Sequence, residues 1–183
     1  ISATAHGIEV YLARRGGGKF DWWLSYVYSS IEDELDEGVG TPRFVDQPHA
    51  FTASASWRPG PKWTLTGVWV YHTGWPTTSV WAGYVERPDG SWELTYDVGP
   101  FYQERLDDYM RLDVRASRTS RVGRKGSLTL FIDVQNITNR ENLRGFAIAD
   151  PEWTQDPGGN WYITFPEEYW LPIIPSFGVS WQF

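Results

Sequence analysis

Every second residue is apolar or aromatic over long stretches of this chain, and this period of two is its dominant signal. The end shows it best. In Pro175-Ser176-Phe177-Gly178-Val179-Ser180-Trp181-Gln182-Phe183 the odd positions are apolar or aromatic, and the even ones are Ser, Gly, Ser and Gln. Leu128, Leu130, Ile132 and Val134 alternate with Thr129, Phe131, Asp133 and Gln135. Met110, Leu112, Val114 and Ala116 alternate with Arg111, Asp113, Arg115 and Ser117. Phe51, Ala53, Ala55 and Trp57 alternate with Thr52, Ser54 and Ser56. Ile8-Val10-Leu12, Trp22-Leu24-Tyr26-Tyr28 and Trp63-Leu65-Gly67-Trp69-Tyr71 repeat the pattern. Seven strands are predicted, near 3–15, 20–31, 48–58, 62–73, 108–121, 126–137 and 175–183. No stretch carries a 3.6-residue period, and β-branched and aromatic residues dominate. The expected fold class is all-β and antiparallel.

The connections alternate strictly between two kinds. Gly16-Gly17-Gly18-Lys19, Pro59-Gly60-Pro61 and Val122-Gly123-Arg124-Lys125 are tight turns. The connections 32–47, 74–107 and 138–174 are long. The second of these is expected to hold its own hairpin, Ser79–Glu86 and Ser91–Val98, joined by Arg87-Pro88-Asp89-Gly90 as a type I turn. Each predicted main strand has the roughly 9–11 residues, or slightly more, that a tilted strand needs to cross a bilayer. Short turns on one side and long loops on the other are the pattern of an outer-membrane β-barrel.

Charge sharpens that division. The three long loops hold 18 of the 23 acidic residues, whereas Arg14, Arg15, Lys19, Arg58, Lys62, Arg121, Arg124 and Lys125 collect at the short turns. The net charge of −7 argues against a nucleic-acid binder. There is no Cys, so disulfides and thiolate metal sites are excluded. No run of about 18 apolar residues exists to form a membrane-spanning helix, but strands that are apolar only at alternate positions escape that test. Among the 12 Trp, Trp57 and Trp63 flank one short turn, Trp22 follows another, and Trp181 lies near the end of the last strand. With Trp69, Tyr71, Tyr26 and Tyr28 toward the other strand ends, they suit two interfacial girdles. The alternative is that they fill the core of a soluble β-sandwich.

Five segments carry a family resemblance. They are Val45-Asp46-Gln47-Pro48-His49-Ala50, Tyr71-His72-Thr73-Gly74-Trp75-Pro76-Thr77-Thr78, Tyr109-Met110-Arg111-Leu112-Asp113-Val114-Arg115, Leu130-Phe131-Ile132-Asp133-Val134-Gln135-Asn136-Ile137-Thr138-Asn139, and the ending with Pro172, Pro175 and Phe183. In order and over nearly the whole of 1–183, they resemble the C-terminal part of the β-barrel of a TonB-dependent outer-membrane receptor. The resemblance implies a wall segment of a larger barrel, with a plug domain and a TonB-contacting region that are not within these residues. It implies the outer membrane of a Gram-negative bacterium and uptake of a scarce nutrient such as a metal-siderophore, cobalamin or an oligosaccharide. Partners would be outer-membrane lipid, the remainder of the barrel and the plug, the TonB complex through those other regions, and the barrel-assembly machinery. That machinery would read the last strand through Phe177, Val179, Trp181 and Phe183. An odd number of strands agrees with a segment: at least one more is needed to satisfy the edges in lipid, and the chain is expected to be an internal piece or to have lost a leader.

Enzymatic chemistry is not expected. His6, His49 and His72 are scattered, with no metal-ligand spacing, and the first turn lacks a phosphate-loop pattern. Asp33-Glu34-Leu35-Asp36-Glu37-Gly38 faintly suggests a Ca²⁺ loop, but Phe44 stands where an EF-hand needs Glu. No cofactor or metal site is assigned. Candidate ligand-binding residues are the loop tryptophans Trp75, Trp81, Trp92, Trp153, Trp161 and Trp170, which can grip sugars, aromatic chelators or a cation, or can simply pack the loops together. Arg111, Asp113 and Arg115 face the polar side, as plug contacts or as plain wall lining. Two other readings stay open: a complete small porin or adhesin barrel with the loop hairpin lending strands, and a soluble carbohydrate-binding β-sandwich.

Overall fold

The computed structural model describes residues 2–16, 18–36, 39–155, 157–159 and 161–183. Gly17 of the first turn, Glu37 and Gly38 of the acidic stretch, and Asp156 lie outside them. The strands in chain order are β1 (Ser2–Arg14), β2 (Phe20–Asp36), β3 (Val39–Pro42), β4 (His49–Gly60), β5 (Trp63–His72) and β6 (Pro76–Thr77). Then come β7 (Val80–Glu86), β8 (Trp92–Val98), β9 (Glu104–Arg105), β10 (Tyr109–Val122) and β11 (Gly126–Gln135). The last are β12 (Leu143–Phe146), β13 (Glu152–Gln155), β14 (Trp161–Thr164), β15 (Glu167–Tyr169) and β16 (Ile174–Gln182).

The seven alternating segments form one antiparallel meander, β1-β2-β4-β5-β10-β11-β16, with β3 attached to the outer end of β2. Alternate side chains point to opposite faces, so the register sorts them. Phe20, Trp57, Leu65, Ala116, Ile132 and Phe177 are joined by successive pairings across six strands. So are Leu12, Leu24, Ala53, Trp69 and Leu112 across five. Together they make one continuous apolar face. The neighbouring row on the other face contains Ser56, Thr66, Arg115 and Asp133. An exception on that polar side is Phe131, which lies on Gly178, where an added Cβ would meet its ring, and carries the Arg115 guanidinium at 3.9 Å.

No described part of the chain covers the apolar face. Among the described residues no hydrophobic side chain is buried, and Ile132 is 58% exposed and Phe177 87%. The packed core that defines a β-sandwich is therefore absent from this arrangement. The sheet is also open: β1 and β16 are each paired on one side only. The β7–β8 hairpin forms where the sequence places it, but it pairs only within itself and lends no strand to the main sheet, so no complete small barrel is formed.

The strands are staggered in one direction. The row that starts at Arg14, the last residue of β1, ends on Pro175 in β16, seven residues short of Gln182 where that strand stops. Six strand-to-strand steps thus accumulate a shift of seven residues, most of the nine-residue length of β16.

Candidate functional site

Among the described residues the buried polar side chains are Thr41, Asp46, Asn136 and Asn142, and all lie at the long-loop end. Asp46, 4% exposed, accepts a hydrogen bond from the Ile31 amide at 2.7 Å and forms an ion pair with Arg105. Arg105 Nη1 also donates to the carbonyls of Asp46 and Gly74, each at 3.0 Å. One guanidinium therefore ties together the β2 end, the turn before β4, the exit from β5 and β9. Gly74 is required here, because an added Cβ would run into the Leu106 carbonyl. Gln47 and His49 of the same motif bond to His72 at 3.0 Å and to Tyr26 at 2.9 Å.

A second polar knot closes the other side. Asn136 is 1% exposed and sits at φ 50°, a left-handed conformation that Asn tolerates better than most residues. Its Nδ2 donates to the Arg140 carbonyl at 2.9 Å, and its Oδ1 accepts from the Arg140 amide at 3.2 Å. Asn142 brackets Met110, accepting from its amide at 2.8 Å and donating to its carbonyl at 3.0 Å. Asn139 Oδ1 takes the Ile173 amide at 2.9 Å. The three asparagines thereby anchor the last long loop to β10 and to the approach to β16.

Above these knots the tryptophans fall into groups. Trp75 stacks on His72 at 5.3 Å, and His72 on Tyr109 at 4.7 Å. Trp170 meets Trp75 edge-on at 5.9 Å and carries Arg144 at 5.5 Å. These two tryptophans pack the loops onto the main sheet. Trp81, Trp153 and Trp161 instead line one cleft of about 530 Å³ between the β7–β8 and β13–β14 hairpins, with Tyr84, Tyr162 and Phe165. Tyr84 and Trp153 stack nearly parallel at 5.6 Å, joining the two hairpins. Trp161 stays 62% exposed. Trp92 stands apart at the hairpin tip, opposite Glu86. Among the described residues no charged side chain lines the cleft.

The hairpin tip is built as its sequence implies. The Gly90 amide donates to the Arg87 carbonyl at 2.9 Å, and Gly90 takes φ 81°, the type I turn followed by a left-handed glycine that suits a hairpin. Ser91 donates its hydroxyl to Asp89 at 2.6 Å and its amide at 2.9 Å. These bonds hold the Asp89 carboxyl below its ordinary range.

On the polar face Arg111 pairs with Asp113 at 3.0 Å and Arg115 with Asp133 at 3.2 Å. Their charges are thus balanced within the sheet. Asp113 also takes the Asn136 amide at 2.9 Å. In the acidic stretch Asp33 is engaged by Arg43 across the β2–β3 hairpin, at 2.5 Å. Among the described residues no group of three or more His or carboxylate side chains converges as metal ligands. Phe177, Val179, Trp181 and Phe183 form an exposed stripe on the apolar face, with Phe183 99% exposed. Sequence reasoning missed Arg105: it lies 59 residues from Asp46, and no local pattern links them.

No protein-family profile matches the chain, and neither a curated protein nor a solved structure matches it.

Proposed function

We propose that the chain is a wall segment of an outer-membrane β-barrel of the TonB-dependent type, whose long loops catch a solute for uptake. The observation that carries this reading is the continuous apolar face left uncovered by the chain, backed by a polar face whose main charges are paired. A β-sheet with that division needs hydrocarbon on one side and water on the other. The stagger supports it. Seven residues over six steps is about 1.2 residues per strand, which at a rise of ~3.3 Å and a spacing of ~4.8 Å is a tilt of about 39°. Transmembrane barrels tilt their strands by roughly 35–45°. At that tilt the ten residues of β5 rise about 26 Å, close to the ~25 Å apolar band of such barrels.

The cleft bears on the solute. Its lining is aromatic and uncharged, and the long loops around it carry most of the acids. Both features favour an uncharged, ring-faced solute such as an oligosaccharide over an anionic metal chelate, which the acidic loops would repel. Energy coupling, a plug and TonB contact would belong to regions outside these residues.

The test is fluorescence quenching by bromine-labelled acyl chains in vesicles. Trp22, Trp57, Trp63, Trp69 and Trp181 on the apolar face should be quenched, and Trp81, Trp92, Trp153 and Trp161 should not. Single-tryptophan variants separate the two sets. Equal quenching of both, or of neither, refutes the membrane reading.

A further inference from the structure

Three basic side chains of the short-turn end share one cleft. Lys19, Arg58 and Lys62 line a space of about 570 Å³ between the first two short turns, together with Trp63, Thr64 and Thr119. The backbone brings them there. Lys19 and Arg58 lie side by side, the Arg58 amide donating to the Lys19 carbonyl at 2.7 Å. Lys62 is held the same way against β10, the Thr119 amide donating to its carbonyl at 2.8 Å. Lys19, Arg58 and Lys62 each stand one residue from a member of the apolar face, Phe20, Trp57 and Trp63 in turn, so alternation assigns them to the polar face. Pro59 and Pro61 bracket Gly60 and stiffen the turn that presents Lys62. The charges in the cleft do not cancel. Arg58 is engaged by Asp21 and donates to the Gly18 carbonyl at 3.3 Å. Lys19 and Lys62 have no carboxylate partner among the described residues, and no described carboxylate lines the cleft. Two uncompensated ammonium groups therefore face one space, with the Thr64 and Thr119 hydroxyls beside them.

We propose that this cleft binds a phosphate monoester, with Lys19 and Lys62 matching its two negative charges. A monoester carries a charge of about −1.5 to −2 near neutral pH and offers three acceptor oxygens. Each ammonium group brings three donors and no acceptor, and the threonine hydroxyls add donors at the same mouth. A phosphodiester or a lone carboxylate carries a single charge and would leave one lysine uncompensated. Water reaches the polar face in or out of a bilayer, so the site does not rest on the membrane reading. It also goes beyond that reading: the aromatic cleft among the long loops is uncharged, and the two ends of the sheet thus offer different chemistry.

The test titrates the full chain, in non-ionic detergent micelles, with glycerol phosphate, a monoester, and separately with dimethyl phosphate, a diester, reading bound ligand by phosphorus NMR. An exposed ion pair contributes about fivefold, so the monoester should bind about fivefold more tightly than the diester. The monoester's second proton leaves near pH ~6, and the preference should fade below that pH. Lys19→Gln with Lys62→Gln should weaken monoester binding about 25-fold and abolish the preference. Arg124→Gln with Lys125→Gln removes the same charge at the same end, in a turn that does not line the cleft, and should keep both. Equal affinity for the two phosphates in the unaltered chain overturns the site, as does no binding of either. A loss in the Arg124/Lys125 variant as large as that in the Lys19/Lys62 variant overturns it too. If the Lys19/Lys62 variant does not fold, the single changes decide: each should cost about fivefold, and full affinity in both overturns the proposal. Failure of the bromolipid quenching would leave this site standing, and failure here would leave the membrane reading standing.

Discussion

Replacing Ile132 by arginine separates a lipid-facing sheet from a water-facing one. Ile132 is 58% exposed, on the apolar face and opposite Phe177. In water an exposed residue of this kind tolerates arginine within about 0.5 kcal/mol. In a bilayer the cost depends on depth. Ile132 is six residues beyond Gly126, the short-turn end of β11; at a tilt of about 39° this is about 15 Å into an apolar band ~25 Å tall. Arginine near the midplane costs about 2–4 kcal/mol. The control is Ser176→Arg, one residue from Phe177 but on the polar face, opposite Asp133, where the expected change is within about 0.5 kcal/mol. Denaturant titration of both variants in lipid vesicles, followed by tryptophan fluorescence, gives the two values. If they agree to within about 0.5 kcal/mol, the lipid-facing assignment is refuted.

Three further outcomes follow from the loop end. Arg105→Ala leaves the buried Asp46 carboxylate without its cation and should cost about 3 kcal/mol; hydrogen exchange at the Ile31 amide, which donates to Asp46, should quicken, and unchanged protection there would count against the clamp. Asn136→Ala strands the Arg140 amide and carbonyl and should cost about 2–4 kcal/mol, measured by denaturant titration; a loss under about 0.5 kcal/mol would show the knot to be dispensable. Asp89 is held below its ordinary value by Ser91, so its share of the hairpin's stability is complete above about pH 4 and is lost as pH falls through the lowered folded-state value. Protection of the Gly90 amide should follow that course, and Ser91→Ala should move the loss to higher pH.

The seven long strands were legible because a sheet with one apolar and one polar face writes its period directly into the chain. The loop hairpin was legible for a different reason: Pro88 and Gly90 encode the turn by their own backbone preferences. β12 to β15 left no such trace. Each has three or four residues, too few for alternation to register. Asn136 stood near the end of a predicted strand and Asn142 within a long connection, and only the folded chain reveals that they are buried and bond backbone on three segments. The loop tryptophans looked alike in the sequence. Packing divides them into sheet contacts at Trp75 and Trp170, a cleft at Trp81, Trp153 and Trp161, and the lone Trp92. That division depends on how two hairpins meet, which no local pattern encodes.

The excursion from β5 to β10 leaves and returns at adjacent strands, and its two ends are fastened to each other below the β7–β8 hairpin. Gly74 lies against Leu106, its amide donates to Asp108 at 3.1 Å, and Arg105 grips its carbonyl. What lies above that fastening is mechanically a cassette. Its sequence can drift, lengthen or be exchanged while the register of β5 against β10 is kept by the latch beneath. A sheet of this construction can exchange what it carries at that edge without being rebuilt.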